Sequence, residues 1–72
     1  MNKSTTLRKK FGERVRQLRK EMNISQEELD FRTGLDRTYI SGIERGIRNP
    51  SLDNIGKLAK ALQVDLPKLL SF

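Results

Sequence analysis

Apolar residues follow one another along this chain at the spacing of amphipathic helices. Near the N-terminus they recur at steps of four, four and three residues, as Leu7, Phe11, Val15 and Leu18, which aligns them on one helix face that a core can cover. Steps of three and four return between residues 52 and 62. No segment alternates apolar and polar residues in the manner of a strand. The sequence therefore predicts an all-α fold, a compact bundle of five helices.

Local start and stop residues set the helix boundaries. Side chains that can accept hydrogen bonds from the free N–H groups of a helix start precede four segments: Ser25, Asp36, Ser51 and Asp65. Ser25 and Glu28 also have the spacing of a capping box, in which each side chain bonds the other's backbone N–H. Residues that tolerate left-handed backbone follow three segments: Asn23, Gly34 and Gly46. We predict helices at about residues 5–22, 25–33, 36–45, 51–62 and 65–71 of one domain spanning residues 1–72.

The 72 residues include neither cysteine nor histidine. Small domains usually gain stability from disulfides, metals, oligomerisation or closely packed helices. The first two routes are closed here, so dimerisation and helix packing remain. The same absence removes the common catalytic triads, thiol nucleophiles and zinc sites, and the carboxylates are dispersed over helix caps and surfaces. We therefore expect no catalytic activity and no cofactor.

Positive charge is concentrated at the N-terminal end. The formal net charge is +6, and eight of the fifteen Lys and Arg residues lie among the first twenty residues with a single acid, Glu13. Such a field attracts nucleic acid or an anionic membrane face, although a solvated helix surface has the same composition. The first twenty residues lack an apolar core of a signal peptide, and no apolar run approaches the ~20 residues of a membrane span. We expect a cytoplasmic protein without membrane contact.

The second and third predicted helices form a helix-turn-helix. Leu29 of the second is expected to pack against Ile40 and Ile43 of the third, which leaves polar residues on the opposite face of the third helix. In a helix-turn-helix protein this second helix of the pair can enter the major groove of DNA. An ordinary corner between two helices has the same apolar spacing, and the polar face favours the DNA-binding alternative.

Three stretches carry a family resemblance: SQEEL at 25–29, TGLDRTYISGIERG at 33–46 and RNPSL at 48–52. They resemble the XRE-type helix-turn-helix domain of Cro and the phage repressors, a lambda-repressor-like DNA-binding domain, and the likeness covers roughly residues 8–70. Residues 36–45 are most similar to the controller proteins of restriction-modification systems. The resemblance implies a transcriptional regulator that binds a pseudo-palindromic operator and controls its own promoter and the endonuclease gene. Phage-type or chromosomal repressors, and an antitoxin-like protein-interaction module, remain as alternatives.

The resemblance also implies roles for individual side chains. It assigns base reading in the major groove of double-stranded DNA to three residues of the third helix: Arg37, Thr38 and Ser41. It assigns contacts with the DNA backbone, or sensitivity to groove shape, to five others: Gln26, Tyr39, Arg45, Arg48 and Asn49. The guanidinium of Arg37 matches the O6 and N7 acceptors of guanine, with a phosphate contact as the alternative. Partial burial is the alternative for Tyr39. At Gly42, where related proteins often carry a longer polar side chain, we expect close backbone approach instead.

Two further sets of residues are expected to hold the molecule together. Arg19 and Glu44 occupy positions where the family forms a buried ion pair between the first and third helices. A homodimer is expected through the C-terminal region, with the apolar side chains Leu66, Leu69, Leu70 and Phe72, although these could instead close the core of one protomer. The resemblance implies two dimers on adjacent sites and contact with RNA polymerase as further associations.

Two residues depart from the family pattern. Asp30 stands where an alanine usually packs against the third helix, and a buried carboxylate without a partner is costly. Phe31 replaces a residue that is usually polar, so either the second helix is slightly rotated or Phe31 covers a surface used by a partner.

Overall fold

The computed structural model describes residues 3–72, with side chains described from residue 6 onward. Five helices follow in order: α1 (Lys3–Glu21), α2 (Gln26–Thr33), α3 (Arg37–Glu44), α4 (Leu52–Ala61) and α5 (Leu66–Leu69). Residues 3–72 contain no strand. The predicted all-α fold is therefore confirmed. Residues 1 and 2 of the predicted domain lie outside the described part.

Side-chain caps begin four of the helices. The oxygens of Ser25, Asp36, Ser51 and Asp65 accept hydrogen bonds from backbone N–H groups two or three residues later, at 3.0, 2.9, 3.1 and 2.8 Å. Each such cap stabilises its helix by about 1 kcal/mol. Only the serine half of the expected capping box forms, because the Glu28 carboxylate instead accepts a 2.9 Å hydrogen bond from Nε of Arg32.

Residues with left-handed backbone follow the helices at the three positions that the sequence predicts. Positive φ angles occur at Asn23 (58°), Gly34 (72°) and Gly46 (78°). Gln63 also has a positive φ angle (59°), which the sequence pattern does not predict.

The fifth helix is shorter than predicted. Its last turn tightens, because the N–H of Ser71 bonds the carbonyl three residues back, on Lys68, and this geometry ends the α-helix at Leu69.

The core draws on all five helices. Its buried apolar side chains are Phe11, Val15, Leu18, Leu29, Ile40, Ile43, Leu58, Ala59, Ala61, Leu62 and Leu69. Leu29, Ile40 and Ile43 lie in this one cluster, as the helix-turn-helix spacing predicts. Leu7 does not belong to it, so its expected core position is wrong. It is exposed at the rim of a shallow apolar depression that also contains Leu70 and Phe72, because the apolar stripe of α1 extends beyond the part that the core covers.

Close contacts hold α1 against α3 and α5. At Gly12 the backbone of α1 approaches α3 so closely that a Cβ atom would lie 2.7 Å from the Glu44 carbonyl oxygen and closer still to that of Ile43. Nε and Nη2 of Arg14 donate to the Lys68 carbonyl oxygen of α5 at 3.1 and 2.8 Å. The first helix is therefore attached both to the helix-turn-helix and to the C-terminal helix.

Candidate nucleic-acid interface

The turn between α2 and α3 is fixed by hydrogen bonds within the chain. The N–H of Gly34 donates to the Asp30 carbonyl oxygen at 2.8 Å. The Thr33 hydroxyl donates to the Leu29 carbonyl oxygen at 2.8 Å and accepts from the N–H of Leu35 at 3.1 Å. With the Asp36 cap immediately after it, this turn sets the direction in which α3 leaves α2. The helix-turn-helix therefore presents α3 in one orientation.

The three base-reading candidates lie on the outer side of α3. Arg37 and Thr38 are exposed and Ser41 is half-buried, whereas Ile40 and Ile43 of the same helix are buried. The Arg37 side chain is 68 % exposed, and its Nη1 lies 3.5 Å from Oε2 of Glu27 on α2. The structure thus brings together a guanidinium and two hydroxyls, the donor and acceptor groups that can meet base edges.

Tyr39 and Arg48 form a second part of this surface. The Tyr39 hydroxyl accepts a 3.1 Å hydrogen bond from the Asn54 amide of α4. Tyr39 is half-buried, which agrees with the partial burial that the sequence analysis gives as the alternative to a DNA contact. The Arg48 guanidinium carbon lies 5.8 Å from the centroid of this ring, within the range of a cation–π interaction. Gly42 makes room for Arg48, since a Cβ atom there would lie 2.5 Å from Arg48 Cγ. In the free protein the space beside Gly42 is therefore occupied by Arg48, and close approach of the Gly42 backbone to DNA stays a prediction.

Two further backbone-contact candidates, Arg45 and Asn49, lie near Arg48 in sequence. Arg45 is the C-cap of α3, with φ of −82°, and Arg45 and Asn49 are both exposed. These residues extend the positive and polar surface beyond the C-terminal end of α3. Such side chains suit contacts with phosphates, which position a protein on DNA without reading its sequence.

A buried ion pair lies behind α3. Nε and Nη2 of Arg19 donate to the two carboxylate oxygens of Glu44 at 2.7 and 3.0 Å, and the Glu44 side chain is only 4 % exposed. Nη1 of Arg19 donates to the Ile24 carbonyl oxygen at 2.9 Å. The hydrogen bond to Glu44 raises the pKa of Arg19, against the effect of burial. The pair joins α1 to α3.

Gln26 belongs to this network. Its Nε2 donates to Glu44 Oε1 at 3.2 Å, and its side chain is half-buried. The amide has a second N–H donor, which remains available for the phosphate contact expected from the resemblance. The bond to Glu44 holds that donor at the N-terminus of α2.

The Asp30 carboxylate is partly buried, as its position in place of a packed alanine predicts. Within the described residues its Oδ1 is buried without a hydrogen-bond partner. Burial raises the pKa of its carboxyl, Arg37 opposes that rise, and Asp36 and Glu27 add to it. Phe31 is 85 % exposed, so this aromatic side chain contributes nothing to the protomer's core.

The expected dimer residues divide into two groups. Leu69 is 0 % exposed and closes the core of the protomer, which is the alternative expected for these side chains. Leu66, Leu70 and Phe72 are exposed, as are Leu7 and Leu52. The Phe72 ring meets Phe11 edge-on, with centroids 6.5 Å apart and planes at 63°. An apolar surface therefore remains near the C-terminus.

Other kinds of site find no support in the part of the chain that the structure describes. None of its helices is both long and apolar enough to cross a membrane. Among the same residues, no group of three or more acidic, cysteine or histidine side chains is arranged to hold a metal ion.

Comparison with known proteins identifies the fold. Residues 15–69 match the helix-turn-helix family. Control protein C.BamHI of Bacillus amyloliquefaciens is 54% identical over 70 residues, which cover 96% of this chain and 86% of that protein. The chain belongs to the helix-turn-helix family. The identification made from residues 25–52 is thus confirmed.

Solved structures of this family agree. The restriction-modification controller protein C.AhdI of Aeromonas hydrophila superposes with a TM-score of 0.89 and 48% identity, covering 94% of this chain and 99% of that one. The controller protein C.Esp1396I, solved as a tetramer in complex with its natural 35 base-pair operator, gives a TM-score of 0.84 and 35% identity, over 90% and 86% of the two chains. Within the helix-turn-helix family, the chain is therefore similar to restriction-modification controller proteins.

Some contacts of this helix-turn-helix domain have no counterpart in the sequence-based expectations. Glu27, which contacts Arg37, reads in the sequence as one acid among several at a helix start, where acids are common. Gly12 lies inside a helix, where glycine is unfavourable by about 1 kcal/mol relative to alanine. That cost is the one sequence indication that another element packs closely there.

Proposed function

We propose that this chain is a restriction-modification controller protein, a transcriptional regulator that reads a pseudo-palindromic DNA operator through α3. The observation that carries the proposal is the outer surface of α3, where Arg37, Thr38 and Ser41 project from a helix held in place by the buried Arg19–Glu44 pair. Arg37 would donate to O6 and N7 of guanine, and the two hydroxyls would meet neighbouring base edges or a thymine methyl group.

Backbone contacts would position α3 in the major groove. Gln26 lies at the N-terminus of α2, where the helix dipole favours a phosphate. Arg45, Arg48 and Asn49 lie at and beyond the C-terminal end of α3, and the Arg48 guanidinium lies over the ring of Tyr39. Together with Gln26 they would hold phosphates next to the bases that α3 reads, which fixes the register of the complex.

A homodimer would present two copies of α3 to the same side of the DNA. Recognition helices of such dimers lie about one DNA turn, ~34 Å, apart. The exposed side chains Leu66, Leu70 and Phe72 are our candidates for the dimer contact. The tetramer of C.Esp1396I on its operator supports the further proposal that two dimers occupy adjacent sites.

The biological role follows from where the protein binds. A dimer over a promoter would block RNA polymerase, and a dimer just upstream could recruit it. We propose that the chain acts in the cytoplasm as one domain, without a cofactor or catalytic activity, and regulates its own promoter and that of the endonuclease gene. A promoter-reporter titration would separate activation from simple repression of the phage type.

Selection of bound duplexes from a random library tests the proposal. The wild-type protein is expected to enrich a palindrome, with affinity that falls steeply as salt rises. Arg37→Ala is expected to lose preference at one position of each half-site. Arg16→Ala, which removes the same charge from the exposed side of α1, is the control and should keep the consensus. Enrichment of no sequence by the wild-type protein would contradict the proposal and favour a protein-interaction module.

A further inference from the structure

The candidate base-reading arginine lies among carboxylates. Nη1 of Arg37 lies 3.5 Å from Oε2 of Glu27, and the charge of Arg37 acts on the carboxyl of Asp30, as do those of Glu27 and Asp36. Among the described residues, Glu27 is the acidic side chain that contacts Arg37 directly. In the free protein the Arg37 guanidinium therefore already has an anionic partner.

The contact with Glu27 is loose enough to exchange. Both side chains are mostly exposed, and an exposed ion pair contributes at most about 1 kcal/mol. A single contact of this length is also weaker than the two parallel hydrogen bonds that a guanidinium can donate to one partner. Guanine offers O6 and N7 together, in the arrangement that a guanidinium fork matches.

From this geometry we infer that Glu27 holds Arg37 in the free protein and competes with the operator for it, so that Glu27 sets how tightly the protein binds its own site. The inference rests on the proposed function. On an operator, guanine replaces Glu27 with two hydrogen bonds, and the energy of the Arg37–Glu27 contact is lost in full. On other duplexes a single phosphate contact gains little over Glu27, so Arg37 stays on α2 and the contact with Glu27 is kept. Glu27 would therefore weaken operator binding more than non-specific binding.

Glu28 provides a matched control on the same helix turn. Both glutamates lie in the first turn of α2, so replacing either with glutamine removes the same charge from the same part of the protein. The Glu28 carboxylate pairs with Arg32 at 2.9 Å and does not hold Arg37. Any general effect of acidic charge on DNA affinity is therefore shared by the two variants.

The test measures dissociation constants for the selected operator duplex and for a scrambled duplex of the same length and composition. Glu27→Gln is expected to bind the operator about threefold to fivefold more tightly, the range that an exposed ion pair allows. Its affinity for the scrambled duplex should change less, so the ratio of the scrambled-duplex constant to the operator constant rises. The effect should shrink at high salt, which screens exposed ion pairs. Glu28→Gln should keep the wild-type ratio, and in an Arg37→Ala background Glu27→Gln should no longer change it.

Several results would overturn the inference. One is an equal shift of both affinities by Glu27→Gln and Glu28→Gln, with the ratio unchanged. Others are an operator affinity that Glu27→Gln leaves unchanged or weakens, and an effect of Glu27→Gln that persists without Arg37. A wild-type protein that fails to distinguish the two duplexes would instead overturn the proposed function, and this inference with it.

Discussion

The Arg19–Glu44 pair shows how one interaction serves both stability and the candidate site. Its carboxylate receives three hydrogen bonds, two from Arg19 and one from Gln26, and it lies at the last residue of α3. The pair thus ties the end of the recognition helix to α1 and positions Gln26 at the same time. Because Glu44 is buried, removal of either partner would leave a charge in the interior without compensation.

Glu44→Ala is expected to lower the free energy of unfolding by about 3 to 5 kcal/mol, because Arg19 would remain buried and unpaired. The DNA sequence preference of the remaining folded protein should change little. Chemical denaturation measures the first effect and library selection the second. Glu28→Ala breaks an exposed ion pair and should cost under ~1 kcal/mol. A Glu44→Ala protein that unfolds like the wild type would contradict this role.

At the level of helices, the packing of α1 on α3 depends on Gly12. A methyl group there would meet backbone carbonyl oxygens of Ile43 and Glu44, which cannot rotate away as a side chain can. Gly56, in α4, has open space around its Cβ position. The two glycines therefore make a pair of sites with the same helical backbone and opposite surroundings.

Gly12→Ala is expected to destabilise the fold by about 1 to 3 kcal/mol, since overpacking outweighs the better helix propensity of alanine. Gly56→Ala should instead stabilise it by about 0.4 to 1 kcal/mol. Thermal melts of both variants beside the wild type make the comparison. A Gly12→Ala protein that melts at or above the wild-type temperature would contradict the role of this close contact.

The helix scale also shows what a single sequence can predict. Caps and stops are local, so Ser25, Asp36 and Gly34 could be read from neighbouring residues, and they occupy those positions in the structure. The exposure of Leu7 and the burial of Leu69 could not be predicted in this way. Periodicity shows which face of a helix is apolar, but how far the core covers that face depends on packing between distant segments.

The sequence predicts the candidate site to about the same extent as it predicts the helices. The resemblance and the helix period place Arg37, Thr38 and Ser41 on one face, where the structure also has them. The contact between Arg37 and Glu27 depends on the crossing of α2 and α3, which ten residues of sequence separation do not define. The role of Gly42 in admitting Arg48 depends in the same way on the path of the loop after α3.

At the scale of the whole molecule, the exposed apolar surface near the C-terminus is where we propose that two copies of the chain associate. Burying Leu66, Leu70 and Phe72 against a second copy would add apolar contact that a chain of 72 residues otherwise lacks. Leu69, the neighbour of Leu70, is already fully buried. Adjacent leucines therefore separate the requirements of folding from those of dimerisation.

Leu70→Asp is expected to give a folded monomer, because a charge there would oppose the dimer contact without entering the core. Leu69→Asp should unfold the protein, since it would bury an unpaired carboxylate. Sedimentation at micromolar concentration, together with circular dichroism, distinguishes the two. A wild-type protein that sediments only as an 8.3 kDa species, or a Leu70→Asp variant that remains dimeric, would show that this surface does not form the dimer.

Methylation interference at guanine N7 on the selected operator tests most directly whether Arg37 of α3 reads guanine in the major groove. N7 is one of the two acceptors that a guanidinium can reach there, and a methyl group on it blocks that contact. We expect methylation at one symmetry-related guanine in each half-site to prevent binding of the wild-type protein and to leave the residual binding of Arg37→Ala unaffected. Interference at no guanine, or the same interference pattern for both proteins, would contradict base reading by Arg37.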